Sequence, residues 1–265
     1  MTVEFLFLLS PNNSGTTVIG QYLQSQTGGY LPPFGNQEGQ MAPAVRDMMR
    51  KAPWNPDEPF DWAFIRAEWE KLARAAGNPL FIECSPPNLI RTEGIRPAFD
   101  GIARYLVSIS SPYSFIASNL FNYTGPPVRP ETLTTMTEAW ITRAGRLRAE
   151  CQAHPDTPRI NYEAFCADPT VVNRALDLPV IEDAVIRGKG NMPIGRIVDL
   201  TARNLAFLDF GEWDRVNAML SDHTDLLDFF GYTLSPGEAL IEHSAAFPAQ
   251  FHAGIIRRSK WNARK

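Results

Sequence analysis

The stretch that most narrows the fold is FLFLLSPNNSGTTVIGQYL, residues 5–23. The run VEFLFLL (3–9) is apolar without alternation, the pattern of a short strand covered on both faces in a parallel sheet. A polar loop containing Gly15 follows. Val18, Ile19, Tyr22 and Leu23 then fall at helical spacing over 16–26, with Thr16 or Thr17 in the first turn. Strand, loop and helix in that order aim backbone N–H groups at an anion held by the helix N-terminus. Loops of this kind usually add a lysine or arginine, and here Asn12 and Asn13 stand instead. The Walker A pattern fails at its second glycine and its lysine. Taken alone, SPNNSGTT reads equally well as a Gly/Asn turn leading into a Thr-capped helix.

Further strand–helix alternation extends the pattern. Residues 30–60 are rich in Pro and Gly and read as irregular, with one short helix around 43–51. DWAFIRAEWEKLARAA (61–76) reads as a helix capped by Asp61 and stopped by Gly77. PLFIECSPPN is a second strand breaking at Pro86, and RYLVSIS (104–110) a third, followed by a helix from Pro112. Residues 130–151 form a long amphipathic helix with Leu133, Met136, Trp140, Ala144 and Leu147 on one face. PRINYEAF (158–165) reads as a fourth strand, and the remainder as helical around RGKGNMPIG (187–195). The expected fold class is α/β: a single domain over 1–265 with a central parallel sheet flanked by helices. In such sheets ligands sit beyond the carboxyl ends of the strands, so the loops after Leu9, Cys84 and Ser110 are expected to share one crevice.

Composition limits the function classes. With 44% hydrophobic residues, 20% charged and a net charge of -4, the chain is ordinary globular protein without the basicity of a nucleic-acid binder. The basic tail RRSKWNARK (257–265) ends an extension over 235–265 and reads as a solvated end or an arm. Cys84, Cys151 and Cys166 are odd in number and lack framework spacing, which fits free thiols in a cytoplasmic, bacterial-style setting. The early polar break at 10–15 fits a buried strand better than a signal peptide or membrane span. His154, His223, His243 and His252 form no spaced metal set, so no metal is expected. Nothing in the sequence speaks to oligomeric state.

Segments in register carry a resemblance: NNSGTT, FIECSPPNLIR (81–91), RYLVSISSPYSFIAS (104–118), TEAWITRA (137–144) with RINYEAFCADP (159–169), and LLDFFGY (226–232). Together they resemble the sulfotransferase family over roughly residues 3–234. That resemblance implies a P-loop-like fold and 3′-phosphoadenosine-5′-phosphosulfate (PAPS) as donor. By it, Asn12, Asn13, Ser14, Gly15, Thr16 and Thr17 would hold the 5′-phosphosulfate, and Ser110 and Ser118 would lie on the 3′-phosphate side. Arg187 and Lys189 occupy the family's glycine-basic region for that phosphate. Asn88 and Arg91 would face the acceptor, a carbohydrate, lipid or small molecule bearing a hydroxyl, with residues 30–60 as its wall or lid. Glu83 is the candidate general base, with a loop-organising role as its alternative, and Asn13 would stand in for the catalytic cation. Tyr162 and Glu163 match a family pattern whose role is structural.

Three positions depart from the family: Asn13, Cys84 and Ser110 all stand where cations are usual. Losing two phosphate-binding cations without substitutes costs roughly 3–6 kcal/mol, a hundredfold to ten-thousandfold in affinity. Arg91, Arg96, Arg104, Arg187 and Lys189 are the candidates for compensation, with the basic tail. A sulfuryl-transfer enzyme is therefore expected, with a catalytically weakened anion-binding sensor or scaffold as its rival. A phosphoryl-transfer enzyme is the third reading, and it lacks the P-loop lysine and a metal-binding acid.

Overall fold

The structure, a computed structural model, describes residues 2–123, 128–182, 186, 197–205 and 208–245. In chain order the main elements are β1 (Glu4–Leu9), α1 (Thr16–Thr27), α2 (Arg46–Arg50), α3 (Trp62–Ala75), β2 (Leu80–Glu83), α4 (Thr92–Ala98) and β3 (Ala103–Ile109). There follow α5 (Pro112–Tyr123), α6 (Pro130–Ala153), β4 (Arg159–Asn161), α7 (Tyr162–Ala167), α8 (Val171–Leu176) and α9 (Thr201–Leu205). The last are α10 (Phe210–Leu220), α11 (Thr224–Phe229) and α12 (Gly237–Ala245). The strands lie in the order β2-β1-β3-β4, with β1 parallel to both neighbours. Two compact units divide the chain: Met1–Ser108 with Ala149–Val198, and Ile109–Arg148 with Asp199–Lys265.

In the first unit the two faces of β1 bury different sets. Phe5 and Phe7 face Trp69 of α3 and Phe99, with Phe5 to Phe99 centroids at 4.7 Å and Phe7 to Phe99 at 5.0 Å. Leu6 and Leu8 face the α1 residues Val18, Ile19, Tyr22 and Leu23, with Ile82, Leu106 and Phe165. Period-2 alternation applied to an unbroken apolar run thus fills both sides of the sheet. Asp61 caps α3 by accepting from Phe64 N at 2.9 Å, and Gly77 follows its end.

Two expectations change. PRINYEAF is a strand only as far as Asn161, and Tyr162–Ala167 is helix. Tyr162 and Phe165, three residues apart, are buried on the same short helix, and a brief apolar run cannot by itself tell strand from helix. The sequence reading also assigned no element to Thr92–Ala98, which forms α4 despite Pro97 in its last turn.

The second unit is helical. Trp140, Trp213 and Phe115 are its largest buried side chains. In LLDFFGY the chain turns off α11 at Gly231, whose φ of 74° is a left-handed value that suits glycine. Gly231 N donates to Asp228 O and Tyr232 N to Leu227 O, which satisfies carbonyls at the helix end. Tyr232 Oη then reaches the Ile109 carbonyl at 3.1 Å. Arg187, Lys189 and the basic tail lie outside the described residues.

Candidate active site

The loop after β1 builds the first part of the site. Asn13 and Gly15 have φ of 58° and 83°, and Ser14 is fully buried between them. Left-handed residues on either side of Ser14 give the concave backbone that surrounds anions. Gly15 occupies the N-cap of α1 without a side-chain hydrogen bond, and the first turn holds no acidic residue. The positive end of the twelve-residue helix α1 therefore faces the loop with no carboxylate in its own first turn. Thr16 is buried and Thr17 partly exposed. A Cβ at position 15 would stand 2.3 Å from two ring carbons of Tyr162, so that ring forms a wall that only glycine clears.

β1 and β2 run parallel with Phe7 opposite Glu83, so the loops that follow them leave the same end of the sheet. Glu83 is fully buried. Its Oε2 accepts from Gly39 N at 2.7 Å, and its Oε1 accepts from Ser85 N and Asn88 Nδ2, both at 2.9 Å. Burial pushes its carboxyl up to about 7, against the pull of the Ser85 and Gly39 hydrogen bonds. Such a value suits a general base. To act as one, Glu83 would have to release a donor, because both oxygens are engaged in joining 38–41 to the 85–91 loop. A Cβ at Gly39 would lie 2.1 Å from Oε2, so glycine is what lets the backbone come this close.

Arg91 closes that loop and is 4% exposed. Its Nη2 donates to Met49 O at 2.9 Å and Pro53 O at 3.0 Å, and the guanidinium lies 4.3 Å from the Phe60 ring centroid. Among the described residues its Nε and Nη1 are buried with no hydrogen-bond partner, as are Asn88 Oδ1 and Gln40 Oε1. Each such group forgoes about 1–3 kcal/mol relative to a satisfied one. Burial pulls Arg91 down to about 10, Glu83 raises it and Arg50 lowers it further. Gln40 enters through its backbone N, which donates to Ser85 Oγ at 3.0 Å. The sequence reading saw only irregular chain at 36–41, because a cluster joined by Glu83 across more than forty residues leaves no local signal.

The expected cation substitutes divide. Cys84, expected at the crevice, is 1% exposed within the core against α1, where a Cβ on Gly20 would meet its Sγ at 2.7 Å. Side-chain alternation turns residue 84 to the face opposite Glu83. Burial, then Glu83 and Glu38, hold its thiol well above the usual range. Arg96 and Arg104 line a cavity of about 530 Å³ beside Ala103 and Pro158, at the end of the sheet where β3 and β4 begin. Arg96 Nε donates to Glu150 Oε1 at 2.6 Å and Nη2 to Thr157 Oγ1 at 2.9 Å, while Arg104 donates to the Leu176 carbonyl. These two arginines are therefore occupied at the opposite end from the Ser14 loop.

In the second unit, Ser110 is fully buried and its carbonyl accepts from Trp140 Nε1 at 3.1 Å. Ser118 Oγ accepts from Asn204 Nδ2 at 2.8 Å, which leaves the Ser118 hydroxyl proton to be donated onward. Ser114 Oγ pairs with Thr201 Oγ1 at 2.7 Å. Asn204 and Thr201 escaped the sequence reading, since 86 residues separate Asn204 from its partner. Among the described residues no group of His, Cys, Asp and Glu side chains is disposed to hold a metal ion. Among them, too, no helix is long and apolar enough to cross a membrane.

No family model matches the sequence, and no curated protein sequence matches it. Solved structures do. The sulfotransferase domain from the curacin biosynthetic pathway superposes with a TM-score of 0.53 at 14% identity, covering 89% of this chain and 99% of that one. A sulfotransferase from Alicyclobacillus acidocaldarius gives 0.51 at 14% identity, covering 91% and 99%. Both likenesses run almost the whole length of each chain, and the parallel α/β architecture is common to them: this chain has the sulfotransferase fold.

Proposed function

We propose that the protein is a sulfotransferase-like enzyme that moves a sulfuryl group from PAPS to a hydroxyl of a small-molecule, lipid or carbohydrate acceptor. The observation that carries this reading is the Ser14 loop: left-handed residues at 13 and 15, with glycine at the N-cap of α1. Ser14, Gly15, Thr16 and Thr17, with Asn12 and Asn13, would hold the donor's 5′-phosphosulfate. In the transfer a bond forms between the acceptor oxygen and sulfur, the bond from sulfur to the donor's phosphate oxygen breaks, and the acceptor proton is lost. Glu83 would serve as base only by releasing Asn88 or Ser85, and otherwise fixes the loop that carries Asn88 and Arg91. Ser110, Ser118, Arg187 and Lys189 are assigned to the 3′-phosphate on the resemblance.

A second reading, an anion-binding sensor or scaffold with slow or absent transfer, is favoured by one observation. Asn13 carries no charge, and Cys84 is sealed in the core and cannot assist it. Calorimetric titration with 3′,5′-adenosine bisphosphate, with ATP and AMP alongside, separates the cases. Micromolar binding selective for the bisphosphate, followed by turnover of PAPS with an acceptor, supports the enzyme. Selective binding without turnover supports the sensor, and absence of binding removes PAPS from the account.

A further inference from the structure

The polar atoms around Arg91 that lack partners are complementary to one kind of molecule. Arg91 Nε and Nη1 are charged donors, and Gln40 Oε1 and Asn88 Oδ1 are neutral acceptors, all four buried. The residues that carry them are linked through Glu83, whose charge also acts on Arg91. Asn88 Nδ2 and Gly39 N, beside Gln40, bind the same Glu83 carboxylate, and Arg91 N donates to Asn88 O at 3.1 Å. Donors that carry charge call for an oxyanion, and carbonyl acceptors call for a hydroxyl.

Why the donors are unpaired follows from the shape of the guanidinium. A carboxylate binds arginine side-on along an edge, and both outward edges, Nε/Nη2 and Nη1/Nη2, use an Nη2 proton. Met49 O and Pro53 O take the Nη2 donors, so the segment 46–60 covers both edges at once. Phe60 lies on the face of the guanidinium and completes the cover. Arg50, at the end of α2, adds a second positive charge close enough to lower the Arg91 proton affinity. A group needed only to tie down two carbonyls would not require a five-donor fork with three donors on two nitrogens stranded.

We propose that the acceptor is a hydroxy acid: its carboxylate binds Arg91 by displacing the Met49 or Pro53 carbonyl, and its hydroxyl donates to Asn88 or Gln40. This rests on the sulfotransferase reading for the fate of the hydroxyl. The binding step itself needs no donor. An ionised carboxylate is the stronger acceptor, so it wins Nη2 from a peptide carbonyl and frees the covering segment.

The test is amide hydrogen exchange of residues 46–60 in the intact protein, with sodium glycolate at 50 mM as the smallest hydroxy acid. Sodium chloride at equal ionic strength and ethylene glycol at equal concentration are the controls. Glycolate is expected to speed exchange in this segment about threefold or more, while chloride and ethylene glycol leave it unchanged. Arg91→Lys keeps the charge and loses the fork, and in it the glycolate response is expected to vanish. Equal exchange in glycolate and chloride would overturn the proposal, as would an undiminished response in Arg91→Lys. Loss of bisphosphate binding in the calorimeter with the glycolate response intact would instead remove the donor reading and leave the carboxylate site standing.

Discussion

The two ends of the sheet in the first unit use arginine in opposite ways. Where β3 and β4 begin, Arg96 bonds Glu150 and Thr157 and lies over the Tyr105 ring at 4.0 Å, and Arg104 bonds the Leu176 carbonyl. At the other end Arg91 is more deeply buried and keeps two of its nitrogens unpaired among the described residues. A half-buried charge with its partners in place holds elements together. A buried charge with donors to spare is not explained by the elements it joins. Counting arginines in the sequence put Arg91, Arg96 and Arg104 in one class as cation substitutes, and partner satisfaction separates them.

The largest effect tests the wall beside the Ser14 loop. Gly15→Ala places a Cβ at 2.3 Å from the Tyr162 ring at a φ of 83°, and overpacking together with left-handed strain is expected to cost about 4 kcal/mol. Chemical denaturation would show it, and adding Tyr162→Ala should restore part of the loss. Full stability in the single variant would mean that the loop is not rigid.

Glu83 sets the second test, through pH. Its carboxyl is raised from an ordinary 4.5 to about 7, so between those values the folded state holds a proton that the unfolded state has lost. Stability contributed by the protonated form is thus present below about 4.5 and is lost as pH rises through about 7, by about 3 kcal/mol. Glu83→Gln should flatten that slope in urea titrations run across the range. An unchanged slope would assign the pH dependence elsewhere.

At the opposite end, Arg96→Ala should cost about 2 kcal/mol, below the range for fully buried pairs because the Arg96 side chain is 20% exposed. Its effect on bisphosphate binding should be nil. A loss of binding as large as the loss of stability would break the distinction between the two ends. Smallest of all, Asn13→Lys returns a cation to the Ser14 loop. A charged hydrogen bond of about 1.5–3 kcal/mol, less about 1 kcal/mol for a lysine at a φ of 58°, should tighten bisphosphate binding roughly twofold to thirtyfold. No change would place the anion away from residue 13.

Much of this was legible locally. The apolar run 3–9, the Asp61 cap and Gly77 each depend on residues within a turn or two of one another, so the sequence states them directly. Residues 162–165 were misread as strand because an isolated apolar run lacks the length to reveal its period. The side to which Cys84 turns was misjudged because a strand's two faces are equivalent until helices cover them. The alternation of strands and helices and the Ser14 loop were thus set by sequence alone, since short-range sterics and hydrophobic spacing decide them. Tertiary structure alone decided which arginines are spent and which remain unpaired. Hydrogen bonds such as Arg96 to Glu150 and Arg91 to Met49 close over 54 and 42 residues, and only the packed chain brings their ends together.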